Sequence, residues 1–282
     1  MRTPTRLALS LGYCLTTLAS TAFAADSLVH LSWNDCSSMP GAAANIDYAC
    51  DGTRTGTPFK LVLSFVSPAN LTAFVGIQAS IDITTEHNAD YPQIRDPLPD
   101  WWRLADGECR SGAVQFPLSL NGIGSGATGA CQNPWLGAVT DGGYRMCTEN
   151  LCEYPTNTTT RTGWTRLKVA FARETETQLV AGQEYVVGAI GIDTWKDQDA
   201  GDGAGVCEGC CTPMRILPVI LELYQTSGTL PQDIYYLYGT EGVLGRSSGL
   251  TVQPVHWQQG GSACDAVPAM RRTWGSIKAT YR

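Results

Sequence analysis

The sequence predicts an all-β protein: an antiparallel β-sandwich with long disulfide-stapled loops and a short C-terminal helical tail. Three observations carry this. Several runs alternate apolar and polar residues with a period of two, no long stretch shows helical periodicity, and the links are dense in glycine, proline, asparagine and aspartate. About eight to ten short strands with turn-rich links read as a sandwich.

The first strand is 27–33 (SLVHLSW), with Val29, Leu31 and Trp33 on one face and His30 and Ser32 on the other. Residues 59–66 align Phe59, Leu61, Leu63 and Phe65, and 71–84 put Val75, Ile77, Ala79, Ile81 and Ile83 in step. The proline-rich stretch 86–102 reads as a loop carrying Trp101 and Trp102. Pro117 interrupts 113–120, which makes that run an edge strand or a bulge. Residues 131–160 have no clear period and read as loops pinned by cysteines. Strands resume at 165–172 (Leu167, Val169 and Phe171 inward), followed by a polar turn at 173–177. A further strand, 183–192, has Tyr185, Val187, Ala189 and Gly191 in step. Pro218 makes 214–224 a bulged or edge strand, 233–238 and 250–257 are short final strands, and Thr273 could cap a short helix within 267–282.

Arg2 and Arg6 precede an apolar stretch that ends in Ala22-Phe23-Ala24, the pattern of a cleaved export signal. Residues 1–24 are therefore expected to be removed, leaving 25–282 as a single β-sandwich domain in the periplasm or outside the cell. Loss of the two arginines takes the formal charge from −7 to −9. An acidic chain repels nucleic acid and anionic surfaces, and no later run is apolar and long enough for a membrane helix.

Eleven cysteines less Cys14 leave ten: Cys36, Cys50, Cys109, Cys131, Cys147, Cys152, Cys207, Cys210, Cys211 and Cys264. An even set behind an export signal reads as disulfides. Proximity in sequence suggests Cys36–Cys50, Cys109–Cys131 and Cys147–Cys152. One of Cys210 and Cys211 would then reach Cys207 and the other Cys264.

Several segments carry a resemblance: LSWNDC (31–36), LPDWW (98–102) followed by Cys109-Arg110, CQNPW (131–135), CEGC (207–210) and the closing TWGSIKATYR (273–282). In these the chain resembles a group of uncharacterised exported proteins of environmental bacteria. The resemblance implies an exported β-sandwich with paired cysteines and assigns no activity. The DQDAGDG stretch (197–203) departs from that group's pattern.

The richest chemistry lies in 193–211, with four aspartates, a glutamate and three cysteines in nineteen residues. Calcium takes six to eight oxygen ligands from tight acidic loops. Asp197, Asp199, Gly201 and Glu208 stand at positions 1, 3, 5 and 12 of a calcium loop, but Asp202 replaces the glycine needed at position 6. With Asp193 they form a degenerate site for a structural calcium, against the alternative of a solvated acidic turn. Zinc on Cys207, Cys210, Cys211 and Cys264 gives way to disulfides in an exported chain. The GSGATG sequence (124–129) lacks the βαβ setting of a dinucleotide fold.

Three histidines, His30, His87 and His256, and no nucleophile elbow give catalysis little to work with. His87 beside Glu86 and Asp90 is the best acid–base candidate, and a carboxylate pair could be drawn from Glu86, Asp96, Asp100, Glu222 or Asp233. Sugar rings stack on exposed aromatics, so Trp101, Trp102, Trp135 and Trp195 form a candidate carbohydrate platform. Trp33, Trp257 and one of Trp101 and Trp102 are expected in the core. The expectation is a non-enzymatic surface or extracellular interaction protein with an unidentified protein or glycan partner. A carbohydrate-binding module is the first alternative and a secreted hydrolase the second.

Overall fold

The computed structural model describes residues 28–51, 58–87, 96–124, 130–148, 163–196, 206–226, 233–238 and 254–259. Twelve strands among them form two sheets. In the first sheet, β1 (Val29–Trp33), β3 (Phe59–Val66) and β9 (Glu184–Ile192) run in that order. The two-residue strands β5 (Val114–Gln115) and β6 (Cys131–Gln132) share the far edge of β9. The second sheet runs β2 (Asn45–Ile46), β12 (Val255–Trp257), β10 (Met214–Gln225), β4 (Leu71–Thr85), β8 (Trp164–Leu179) and β7 (Thr140–Thr148), with β11 (Ile234–Tyr238) beside β10. Pairing is antiparallel except at two short contacts, β12 with β2 and β6 with β9. The expected helical tail lies outside the described residues.

The alternation read from β1, β3 and β8 holds: Leu31, Phe65, Val169 and their neighbours in phase all enter one core between the sheets. Other strands change phase where the ladder slips. A bulge near Phe74 puts Phe74 in the core and leaves Val75 half-buried. In β9 the slip opposite Leu63 and Ser64 hands the core positions to Ile190 and Ile192, while Ala189 turns to the outer face. An extra residue on one strand reverses every side chain beyond it.

Pro218 does mark a bulge, between Pro218 and Ile220. The strand is central rather than at an edge, yet the proline is tolerated. On the side away from β4, β12 pairs with Met214–Ile216 and β11 with Ile220–Tyr224, so Pro218 falls in the gap between them. The expected turn at 173–177 is instead the continuation of β8, and part of the expected loop 131–160 is the strand β7.

The outer face of the first sheet carries a second apolar cluster. Val62, Val186 and Ala189 are covered by Ile123 and by the bridge Cys36–Cys131. Gly124 makes this possible: its φ is +63° and a Cβ there would stand 2.8 Å from the carbonyl oxygen of Cys131.

The bridges join segments far apart in sequence, and the pairings expected from proximity are corrected accordingly. Cys36 joins Cys131 rather than Cys50, Cys50 joins Cys210, and Cys109 joins Cys207. These close separations of 95, 160 and 98 residues. A sandwich made of long-range strand pairs brings distant loops together at its rims, so nearness along the chain is a poor guide. Cys147 and Cys211 are also disulfide-bonded, and the expected partners Cys152 and Cys264 lie outside the described residues.

Candidate functional site

The polar site with the most chemistry stands where β4, β10 and β12 meet. Glu86 follows the end of β4, its N–H donating to the carbonyl of Pro213 at 3.1 Å. Arg215 lies opposite both Thr84 and His256 in the ladder. The register thus brings to the Glu86 carboxylate a guanidinium 129 residues and an imidazole 170 residues further along the chain. Arg215 donates to Glu86 Oε2 from Nε at 3.0 Å and from Nη2 at 2.7 Å, and Glu86 Oε1 bonds His256 Nδ1.

Burial pushes the Glu86 carboxyl up. The hydrogen bond from His256 and the charges of Arg215 and His256 outweigh that, and the carboxyl is held below its ordinary 4.5. An ionised carboxylate only accepts, so the His256 proton facing it sits on Nδ1. A carboxylate-oriented imidazole is the geometry that prepares Nε2 for acid–base work. Among the described residues no serine, threonine or cysteine is hydrogen-bonded to it. Next along the chain, His87 Nδ1 and Asp96 Oδ2 lie 2.6 Å apart on the exposed surface.

A second polar centre lies at the base of the outer apolar cluster. Glu184 is buried and accepts four hydrogen bonds: from the Ser64 hydroxyl at 2.6 Å, the Ser37 hydroxyl at 2.9 Å, and the backbone N–H groups of Ser37 and Ser38 at 3.2 and 3.1 Å. It stands opposite Cys131 in the ladder and ties the 36–39 loop to β3 and β9. Among the described residues, Cys36, Cys131 and Glu184 are close enough to hold a metal ion. The two sulfurs are bonded to each other, so the set offers no thiolate. Burial pushes the His30 imidazole below its ordinary 6.5, and the nearby charge of Glu184 offsets only part of this.

Both groups have depressed folded-state values, so each contributes stability present at higher pH and lost on acidification. For His30 the loss begins below about 6.5 and for Glu86 below about 4.5. The urea midpoint should fall through both windows. His30→Gln should flatten the upper part and Glu86→Gln the lower. Unchanged slopes in both variants would show that neither group is coupled to folding.

The expected carbohydrate platform is corrected. Trp101 and Trp102 are fully buried and Trp135 is nearly so. Trp101 stacks on Trp257 at 4.9 Å, and Trp135 donates from Nε1 to the Val187 carbonyl at 2.9 Å. Large aromatic faces pack with each other when the disulfide-bound loops close over them. Trp195 is half-buried beside Lys196 and packs against the core.

In the 193–211 loop, Asp193 accepts from Gln115 Nε2 at 2.7 Å, and its carbonyl accepts from the buried Arg110 guanidinium. Arg110 also lies 3.6 Å above the Trp101 ring. Glu208 is exposed, its carbonyl accepting from the Trp101 N–H. Asp197, Asp199 and Asp202, the rest of the expected calcium set, lie outside the described residues.

The expected grouping of His87 with Glu86 is corrected, since Glu86 turns to Arg215 and His256 while His87 pairs with Asp96. Asp90 lies outside the described residues. Arg215 and His256 were not legible as partners of Glu86. Each sits singly in a strand, and only the ladder register brings them to Glu86. No known protein family, curated protein or solved structure matches the chain. Among the described residues no helix is long and apolar enough to cross a membrane.

Proposed function

We propose that the protein is an exported, non-enzymatic interaction protein that presents rigid loops from a disulfide-stapled sandwich. Every described cysteine is oxidised, which supports an oxidising compartment, periplasmic or extracellular. The observation that carries the reading is the 133–139 loop. Leu136 and Val139 are 74 % and 72 % exposed, yet the loop that displays them is held at both ends. Buried Trp135 anchors its start, Arg173 donates to the Pro134 carbonyl, and the Val139 carbonyl accepts from the Glu174 N–H at 3.0 Å. Single exposed apolar residues are ordinary. Two of them on one short, fixed loop offer a partner apolar surface to cover.

The test is a pull-down from the organism's own periplasmic and extracellular fractions, with wild type and the Leu136→Asp/Val139→Asp variant as bait. A partner retained only by wild type, with the melting temperature unchanged in the variant, is the expected result. Equal retention by both baits would discard the loop as the interface. The Glu86–His256 pair favours a second reading, a secreted hydrolase. Substrate turnover abolished by His256→Ala would put that reading in place of the first.

A further inference from the structure

We infer that two copies of the chain join edge to edge through β7, antiparallel and about a two-fold axis at Gly143. This goes beyond the reading above and does not depend on Leu136 or Val139.

β7 ends the seven-stranded sheet. It pairs with β8 in an uninterrupted register from Thr140 opposite Arg173 to Thr148 opposite Thr165. Along Thr140–Met146 the one backbone hydrogen bond beyond that ladder to a described residue is local, the Gly142 N–H donating to the Asp141 carboxylate at 2.8 Å, and Thr140, Asp141, Gly143, Tyr144 and Arg145 are exposed. It is nine residues long, the longest edge strand among the described residues. It has no bulge and no proline, two of the devices by which a sheet edge is closed. By contrast β2, β5 and β6 are two residues each, and β1 is met by Ala43 through hydrogen bonds of 2.8 and 3.1 Å with Trp33. A long regular edge of this kind accepts another strand through its main-chain groups.

The charges select the occupant. Asp141 and Arg145 stand on one face of β7, opposite Ala172 and Lys168 respectively. Arg145 makes no ion pair with a described residue, and its cross-strand neighbour Lys168 has the same sign, which is unfavourable for directly opposed residues. In an antiparallel pair centred on Gly143, Asp141 of one copy falls opposite Arg145 of the other, and the reverse pair forms by symmetry. The strand is thus self-complementary, as an isologous two-fold interface requires. Gly143, with open space where a Cβ would stand, falls on the axis, so no side chain obstructs the approach.

The test uses the full chain with its disulfides intact, followed by sedimentation velocity over a concentration series. Wild type should dimerise. Asp141→Arg and Arg145→Asp should each weaken self-association by about tenfold or more, because each change makes two repulsive pairs. An equimolar mixture of the two variants should recover the dimer as a heterodimer, identified by its mass in native mass spectrometry. The double variant Asp141→Arg/Arg145→Asp should dimerise like wild type. Rescue by mixing also separates loss of the interface from loss of folding, since misfolded variants would not recover. Three results would overturn the inference: a wild type that stays monomeric at concentrations on the order of 100 µM, a dimer indifferent to both charge reversals, or variants that fail to recover on mixing. None of these touches Leu136 or Val139, so the pull-down reading stands or falls separately.

Discussion

Trp257→Ala is expected to remove about 3–5 kcal/mol of folding stability, the usual cost of deleting a large buried aromatic. The residue is fully buried on the three-residue strand β12 and lies at the centre of the aromatic core. Its ring stacks on Trp101 at 4.9 Å and meets Phe59 edge-on at 5.1 Å, Trp102 at 5.5 Å and Tyr48 at 5.9 Å. Nε1 donates to the carbonyl of Cys210 at 2.7 Å, and Cys210 is bridged to Cys50. One side chain therefore joins β12, the 100–102 turn, the 210 loop and β3. Against a typical total of about 5–15 kcal/mol, such a loss leaves little reserve. Urea denaturation reads it directly. Trp257→Phe keeps a ring but leaves the Cys210 carbonyl without its donor, and should cost about 1–3 kcal/mol. A loss below about 1 kcal/mol in Trp257→Ala would mean that the cluster repacks around the gap.

That Trp257 and Trp33 are core residues was readable in sequence, because each sits in phase with apolar neighbours on a short strand. Trp101 and Trp102 were harder. Their segment has no period, and only the fold shows that both rings turn inward, Trp101 under the Arg110 guanidinium. Strand existence was legible wherever apolar and polar residues alternate cleanly, as in β1, β3 and β8. It failed at β7, whose Thr140-Asp141-Gly142-Gly143 start reads as a turn. There the Phe171 ring fills the place of a side chain at Gly142: a Cβ would stand 2.1 Å from its Cδ2. A neighbour's bulk, invisible locally, turned a turn sequence into a strand.

Face assignment failed where the ladder slips: in β4 Val75 leaves the expected phase while Ile77, Ala79, Ile81 and Ile83 enter the core as read, and in β9 the slip turns Ala189 outward and hands the core to Ile190 and Ile192. Disulfide partners were illegible for the same topological reason. The pairing of Cys50 with Cys210 follows from β2 lying beside β12 and β12 beside β10, an order that no local pattern carries. Of the polar centres, Glu86 could be seen as a candidate but its partners Arg215 and His256 could not, and Glu184 with Ser37 and Ser64 could not, because serines in strands and loops carry no signal of their own.

The outer face of β4 gives the other large effect. Read as a strand with one wet face, β4 should hold Asp82 in solvent. Instead Asp82 and Arg166 stand directly opposite each other with side-chain exposures of 1 % and 3 %. The guanidinium donates from Nε to Oδ1 at 2.6 Å and from Nη2 to Oδ2 at 2.8 Å, a bidentate fork, with Trp164 4.8 Å from Cζ. Removing one partner strands a buried charge, so Asp82→Asn and Arg166→Met should each cost about 3–5 kcal/mol. The double variant Asp82→Leu/Arg166→Met leaves no charge behind and should recover most of the loss, since a buried pair and a well-packed apolar pair are often close in free energy. The coupling from the double-mutant cycle should also change little between low and high salt, because screening acts mainly on charges that water reaches. Single-variant losses below about 1 kcal/mol, or a coupling that fades with salt, would place this pair in solvent and remove it from the frame.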